Sequence, residues 1–189
     1  MKRYIFIIFT LVIAYSADHI ILTRVVTQPH EAESFSIYNP TPSSIDLTHY
    51  YVCDNQDYYK IAIFPDSIFS SSHTGFTAKF PSVNIEPGET LTIVLHENYN
   101  AYYGDGFIPD IVMFESDEYL SMSGSIGLGN SKIDESSEFI ILFKWDGASN
   151  LIQDIDYFLW WSLEGVNLNG IDKTGEISYK NDTPIETQL

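Results

Sequence analysis

The run FSIYNPTPSSIDLTHYYVCD, Phe35 to Asp54, constrains this chain more than any other part of it. Phe35 and Ile37 alternate with Ser36 and Tyr38, the two-residue period of a strand with one buried face. Asn39, Pro40 and Pro42 then stop the strand, because proline has no N–H for the ladder and locks its own backbone. Ile45 to Cys53 follows at once and reads as a further, kinked strand. Two strands joined by a short polar turn specify a sheet.

Similar signals recur from Ile20 to Trp160, and no window repeats apolar residues at helical spacing for long enough to make a real amphipathic helix. The predicted fold class is therefore all-β, an immunoglobulin-like β-sandwich with long inserted loops. Ile20 to Thr27 is the opening strand, and Lys60 to Phe64, with Ile61 and Ile63 alternating, is another. Val83 and Ile85 run into Glu86, Pro87, Gly88 and Glu89, whose Pro-Gly centre suits a type II turn, and Leu91, Ile93 and Leu95 then share a face. Phe139 to Trp145 is apolar on both faces, as a central strand is. Asp146 and Gly147 suit a two-residue hairpin turn into Leu151 to Trp161, where Ile155, Tyr157 and Leu159 alternate with Asp154, Asp156 and Phe158 and predict one wet face. His96 to Gly129, rich in Tyr, Asp, Gly and Ser, reads as an elaborated loop holding one strand at Ile111 to Phe114.

Lys2 and Arg3, the apolar run Tyr4 to Ala14, and Ala14, Tyr15, Ser16 form the pattern of a cleaved export signal, so residues 1–16 are expected to be removed. The apolar run is shorter than the roughly 20 residues a membrane-spanning helix needs, and no later run is longer. The expected location is secreted or cell-surface, or periplasmic. Residues 17–161 are read as one domain and 162–189 as a polar extension or linker. The single Cys53 has no internal disulfide partner and is expected to be a small buried residue.

Losing Lys2 and Arg3 takes the formal charge from −17 to −19 and leaves seven of the nine Lys and Arg residues. Phosphate backbones are held by Lys and Arg that displace counterions, so a chain this acidic is not expected to bind nucleic acid.

Three blocks in order, SFSIYNPTPSSIDLTHYYVCD, the strand after EPGETLTIVLHE, and SSEFIILFKWDGASNLIQDIDYFLW, resemble the lamin tail domain, an immunoglobulin-like sandwich found at the end of nuclear lamins and in exported bacterial proteins. The Asn39-Pro40 stop followed by Asp46, Leu47 and a Tyr-rich strand is its most typical piece, while Ser36 stands where the family often has an acidic residue. The resemblance implies a binding or tethering module without catalytic residues of its own.

Catalytic patterns fail on spacing. His96-Glu97 and His30-Glu31 each begin a zinc-protease motif, but the second histidine four positions on is Asn100 in one and Ser34 in the other. Gly124, Ser125, Ile126, Gly127 lacks the spacing of a nucleophilic serine elbow and reads as a flexible loop. The chain is therefore expected not to be an enzyme; a secreted glycosidase-like hydrolase using carboxylates in the Asp105 to Glu118 loop is the competing reading. No cofactor is expected apart from calcium, for which Asp105, Asp110 and Asp117 are the candidate ligands, with Glu118 beside them. Asp134, Glu135 and Glu138 are read as a solvated rim. The candidate binding residues are Tyr58, Tyr59, Tyr99, Tyr102 and Tyr103, because Tyr among Ser, Asn and Gly is the composition of recognition loops, and the expected partner is a protein or a glycan. A structural surface protein stabilised by calcium is the third reading.

Overall fold

A computed structural model describes residues 17–65, 75–126, 132–136, 138–149 and 152–160, together with 166–167 and 170–171. The expected removal of 1–16 and most of the 162–189 extension lie outside the described residues. The strands are β1 (Ile21–Val26), β2 (Ser34–Tyr38), β3 (Ile45–Asp46), β4 (Tyr50–Cys53), β5 (Phe76–Lys79), β6 (Asn84–Ile85) and β7 (Thr90–Val94). They continue with β8 (Ile111–Val112), β9 (Leu120–Ser121), β10 (Ser123–Ile126), β11 (Glu138–Lys144), β12 (Gln153–Trp160), β13 (Val166–Asn167) and β14 (Gly170–Ile171). A single helical turn, α1 (Asn100–Tyr103), lies in the long loop after β7.

The fold is all-β and sandwich-like. The first sheet has the order β1-β2-β7-β8-β9 and the second β10-β5-β4-β11-β12, and β3-β6 and β13-β14 form separate two-stranded pairs. Phe35 and Ile37 of β2 are fully buried against the main core, where each contributes about 1.5–3 kcal/mol by leaving water. Pairing is antiparallel except for β7-β8 and β8-β9, the two strands that the long loop adds to the sheet.

Asn39 explains why the Pro-bearing turn is abrupt. Its side-chain Nδ2 donates to the carbonyls of Ser43 at 2.8 Å and Ile85 at 3.0 Å, and its Oδ1 accepts from the backbone N and the Oγ1 of Thr41. The Glu86-to-Glu89 turn closes as expected, with Glu89 N donating to Glu86 O at 3.0 Å and Gly88 at φ 75°.

Several local expectations change. Ile45 to Cys53 is two strands in different sheets, because the Asp46 carboxylate takes the backbone N of Thr48 and turns the chain. Lys60 to Phe64 is not a strand: Tyr58–Ala62 forms a 3-10 helix, whose three-residue period places the fully buried Tyr58 and Ile61 on one side. Of Gly124 to Gly127, expected as flexible loop, Gly124 to Ile126 belong to strand β10 and Gly127 lies outside the described residues; Gly124 is needed there because a Cβ would meet Thr77 O at 2.2 Å. Asp146-Gly147 does not close a two-residue hairpin; Asp146 Oδ1 accepts from the N of Ala148 and Ser149 within a longer connection from Lys144 to Gln153.

β11 is central, as its composition predicts. Ile140 and Leu142 enter the main core, while Phe139, Ile141 and Phe143 enter a second apolar layer on the outside of the sheet with Tyr51, Tyr58 and Ile152. The wet face expected on β12 is absent: Asp154 and Asp156 are both buried. A bulge makes this workable. Asp156 is opposite Leu142 and Asp154 opposite Phe143, so Ile155 is an extra residue and the two carboxylates fall on different faces. Asp154 accepts the Tyr58 hydroxyl at 2.5 Å, and Asp156 accepts Leu22 N at 2.6 Å, tying the edge of one sheet to the edge of the other.

Candidate functional site

The Tyr-rich stretch after β7 begins where Leu95 N donates to Glu33 O and extends the ladder by one residue. His96 follows, and its Nε2 lies 2.9 Å from Oε2 of the fully buried Glu33, an oxygen that also accepts Lys132 N at 2.7 Å. The His30 ring packs edge-on against His96, with centroids 5.6 Å apart. Seven residues later, at Tyr103, the chain is pinned again. Tyr103 donates its hydroxyl to Ala32 O at 2.8 Å and shares a hydrogen bond with Ser34 Oγ at 3.0 Å.

Between these anchors the chain lies over the outer face of the first sheet. Tyr99 is the hub: it is buried with Val94 and Val112, and its ring centroid lies 6.0 Å from Phe107, 6.5 Å from Phe114 and 6.4 Å from Tyr119. Tyr103 stacks on Phe107 at 4.5 Å. Tyr102, edge-on against Tyr103 with centroids 5.0 Å apart, is 55% exposed, and Ile108, which follows Phe107 in the chain, is 74% exposed.

The five candidate tyrosines therefore separate. Tyr58 and Tyr59, expected on an exposed recognition loop, are interior: the 3-10 helix turns Tyr58 onto Asp154 and Phe143, and Tyr59 lies edge-on against Tyr58. Tyr99 is likewise buried as the hub of its layer. Tyr103 is half-buried and anchors the loop, and Tyr102 alone of the five is exposed. The structure brings Tyr99 and Tyr103 into one layer, with Tyr102 edge-on against Tyr103, and leaves Tyr58 and Tyr59 in the apolar layer of the other sheet.

The candidate calcium ligands do not converge. Asp105 and Asp117 are exposed, and Asp110 uses its Oδ2 to accept Thr92 N at 2.7 Å, which fixes the approach of the loop to β7. Among the described residues no group of three or more His, Cys, Asp or Glu is placed to hold a metal ion.

Buried acids are what the sequence left unseen. Asp54 is buried; its Oδ1 accepts Phe76 N at 2.8 Å, its Oδ2 has no hydrogen-bond partner among the described residues, and burial, then the charge of Glu138, holds its pKa well above the usual carboxylate range. Glu138, expected on a solvated rim, is partly buried and accepts Asp134 N at 2.8 Å; burial first, then Asp134 and Glu33, push it up to about 7. Asp156 is pushed up to about 6, again by burial. Cys53 is buried 3.0 Å from Thr77 Oγ1, and burial raises its thiol far above the nucleophilic range. These groups sit inside the fold, where they bear on stability.

No family model matches the chain, and no curated protein does. Among solved structures it is similar to a DUF4876 family protein from Bacteroides thetaiotaomicron VPI-5482, at 15% identity and a TM-score of 0.42. The similarity covers 68% of this chain and 43% of that one, so this chain spans less than half the length of that protein.

Proposed function

We propose that the chain is an exported, non-catalytic binding or tethering module of the lamin tail type, which docks a protein or glycan partner through the aromatic layer over its first sheet. The observation that carries this reading is the exposure of Tyr102 on Tyr103, whose hydroxyl is fastened to Ala32 O, with the exposed Ile108 next to Phe107 in the same loop. An exposed aromatic ring on a preorganised support loses little side-chain freedom on binding, which is what a recognition surface requires. The lamin tail assignment is supported by where its three blocks fall: the first spans β2, the Asn39 turn, β3 and β4, the second leads into β7, and the third forms β11 and β12.

Immobilised mature chain tested against a glycan array and against extracellular protein fractions checks the proposal. Tyr102→Ala combined with Ile108→Ser is expected to remove capture while leaving the unfolding midpoint unchanged. Undiminished capture by the folded double variant would sink the assignment of the surface.

A further inference from the structure

In an Asp-Gly pair the main chain can attack its own side chain, because glycine has no Cβ to shield its nitrogen. The sequence holds two such pairs, Asp105-Gly106 and Asp146-Gly147, and both aspartates are exposed. Their surroundings differ. Asp146 Oδ1 accepts from the N of Ala148 at 2.9 Å and of Ser149 at 2.7 Å, and these bonds, that from Ser149 first, hold its pKa below the ordinary carboxylate value. A carboxylate kept ionised is a poor electrophile, since its oxygen leaves only once protonated, and one held by two N–H groups is not free to swing towards Gly147 N.

Asp105 has no such restraint. With Gly106 it forms the centre of a turn closed by one backbone bond, Phe107 N to Gly104 O at 3.1 Å, and among the described residues its carboxylate accepts no hydrogen bond. Gly104, Asp105 and Gly106 are all exposed, and an exposed turn held by a single bond opens at little cost.

We infer that Asp105-Gly106 is a site of spontaneous backbone isomerisation, from which the fold protects Asp146-Gly147. Gly106 N bonds to Asp105 Cγ, the Cγ–OH bond of the neutral carboxyl breaks, and the hydroxyl leaves with the N–H proton as water, closing a five-membered succinimide. Water then opens the ring. Attack at Cγ restores aspartate, while attack at the Asp105 backbone carbonyl breaks that carbon's bond to Gly106 N and leaves the chain running through Cβ and Cγ, as isoaspartate. Water is the sole co-reactant, nothing is oxidised or reduced, and the mass is unchanged.

The isomer carries one extra main-chain carbon inside the turn. Tyr103 is fastened to Ala32 O and stacks on Phe107 at 4.5 Å, so the added atom falls between an anchored ring and the ring it packs on. Isomerisation breaks the Gly104-to-Phe107 bond and shifts that stack, and the loop thereby records the age of the molecule. This holds whether or not the loop binds a partner.

The test ages the folded mature chain in mildly acidic buffer at body temperature, then digests it with an endoprotease that cuts before aspartate and not before isoaspartate, and weighs the fragments. Cleavage before Asp105 is expected to be lost progressively with no change of mass, and the uncut fragment to be labelled by an isoaspartate-specific carboxyl methyltransferase, while cleavage before Asp146 is retained. In concentrated urea both sites are expected to react alike, because the bonds to Asp146 Oδ1 are gone. Asp105→Glu, whose ring would have six members and closes more slowly, and Gly106→Ala, whose Cβ meets nothing within 4 Å at a φ that does not require glycine, are each expected to suppress the loss and leave the fold intact. Reaction at Asn169-Gly170 is told apart by the change of mass that loss of ammonia brings. Retained cleavage before Asp105 in the folded chain overturns the inference, whatever happens in urea. Equal loss at Asp105 and Asp146 in the folded chain overturns the protection, and loss at Asp105 undiminished by Gly106→Ala overturns the attack by that nitrogen.

Discussion

Asp154 and Asp156 are two residues apart on one strand and lie on opposite faces of it, because the extra residue Ile155 shifts the register between them. One carboxylate closes a hydroxyl within the outer apolar layer and the other closes a backbone N–H at the seam between the sheets. Regular alternation would have put both on the same side, where two buried acids repel.

The Asp154 bond to Tyr58 joins residues far apart in the chain within a dry layer. Asp154→Ala leaves the Tyr58 hydroxyl buried without its carboxylate acceptor and is expected to destabilise the fold by about 1–3 kcal/mol. Tyr58→Phe in the Asp154→Ala background should cost less than Tyr58→Phe alone. A double-mutant cycle by urea denaturation measures that coupling; strictly additive losses would show that the bond is inert.

Stability is expected to fall as pH rises through the neutral range. Asp54, Glu138 and Asp156 have folded-state pKa values above their unfolded ones, so at mildly acidic pH the folded state holds more protons than the unfolded chain. The stability these protons contribute is fully present only below the ordinary carboxylate values of 3.8 for Asp156 and 4.5 for Glu138, and is lost as pH rises from there to about 6 and about 7 respectively. Asp46 and Asp146, held low by hydrogen bonds from Thr48 and from the backbone at Ser149, act in the opposite sense, only below the ordinary carboxylate range. Thermal midpoints across pH 4 to 9 should therefore peak in mild acid, and Glu138→Gln should flatten the decline near neutrality.

Asn39 should tolerate no replacement that loses either half of its amide. Asn39→Ala strands two carbonyls and the Thr41 donors, and a loss of roughly 1–3 kcal/mol is expected; Asn39→Asp keeps the acceptor but turns the donors to Ser43 and Ile85 into repulsion. Chemical denaturation of both variants checks this, and a neutral Asn39→Asp would contradict the donor role.

Gly75 lies against the Asp54 carboxyl so closely that a Cβ would come within 2.0 Å of Oδ2. Gly75→Ala is expected to cost about 1–3 kcal/mol through overpacking. In an Asp54→Ala background the same change should cost much less, which separates this clash from any general effect on β5.

Much of the frame was readable from residue order. Phe35 and Ile37 alternate because one face of β2 meets the core, and Phe139 to Phe143 is apolar throughout because β11 is covered on both sides. Pro87-Gly88 announced its turn through fixed backbone preferences. The bulge at Ile155 was hidden, since the alternation along β12 is regular and only the pairing with β11 reveals the extra residue. The 3-10 helix was hidden for a related reason: Ile61 and Ile63 imitate a strand, whereas the buried pair is Tyr58 and Ile61. The site was half legible. Composition located Tyr99 to Tyr103, but which ring faces outward depends on Ala32 and Ser34, contributed from far upstream. Glu33 and His96 meet only through the pairing of β2 with β7.

The seam at Asp156 has a mechanical corollary. The first and last strands of the two sheets are neighbours, with Leu22 N at 2.6 Å from Asp156, and Trp160 lies four residues beyond, roughly 13 Å of extended chain. A polypeptide running through such a unit comes in and goes out along one side. It gains a bulky pendant and hardly any reach, so a row of partners held this way would be spaced by the connecting segments and not by the bodies themselves.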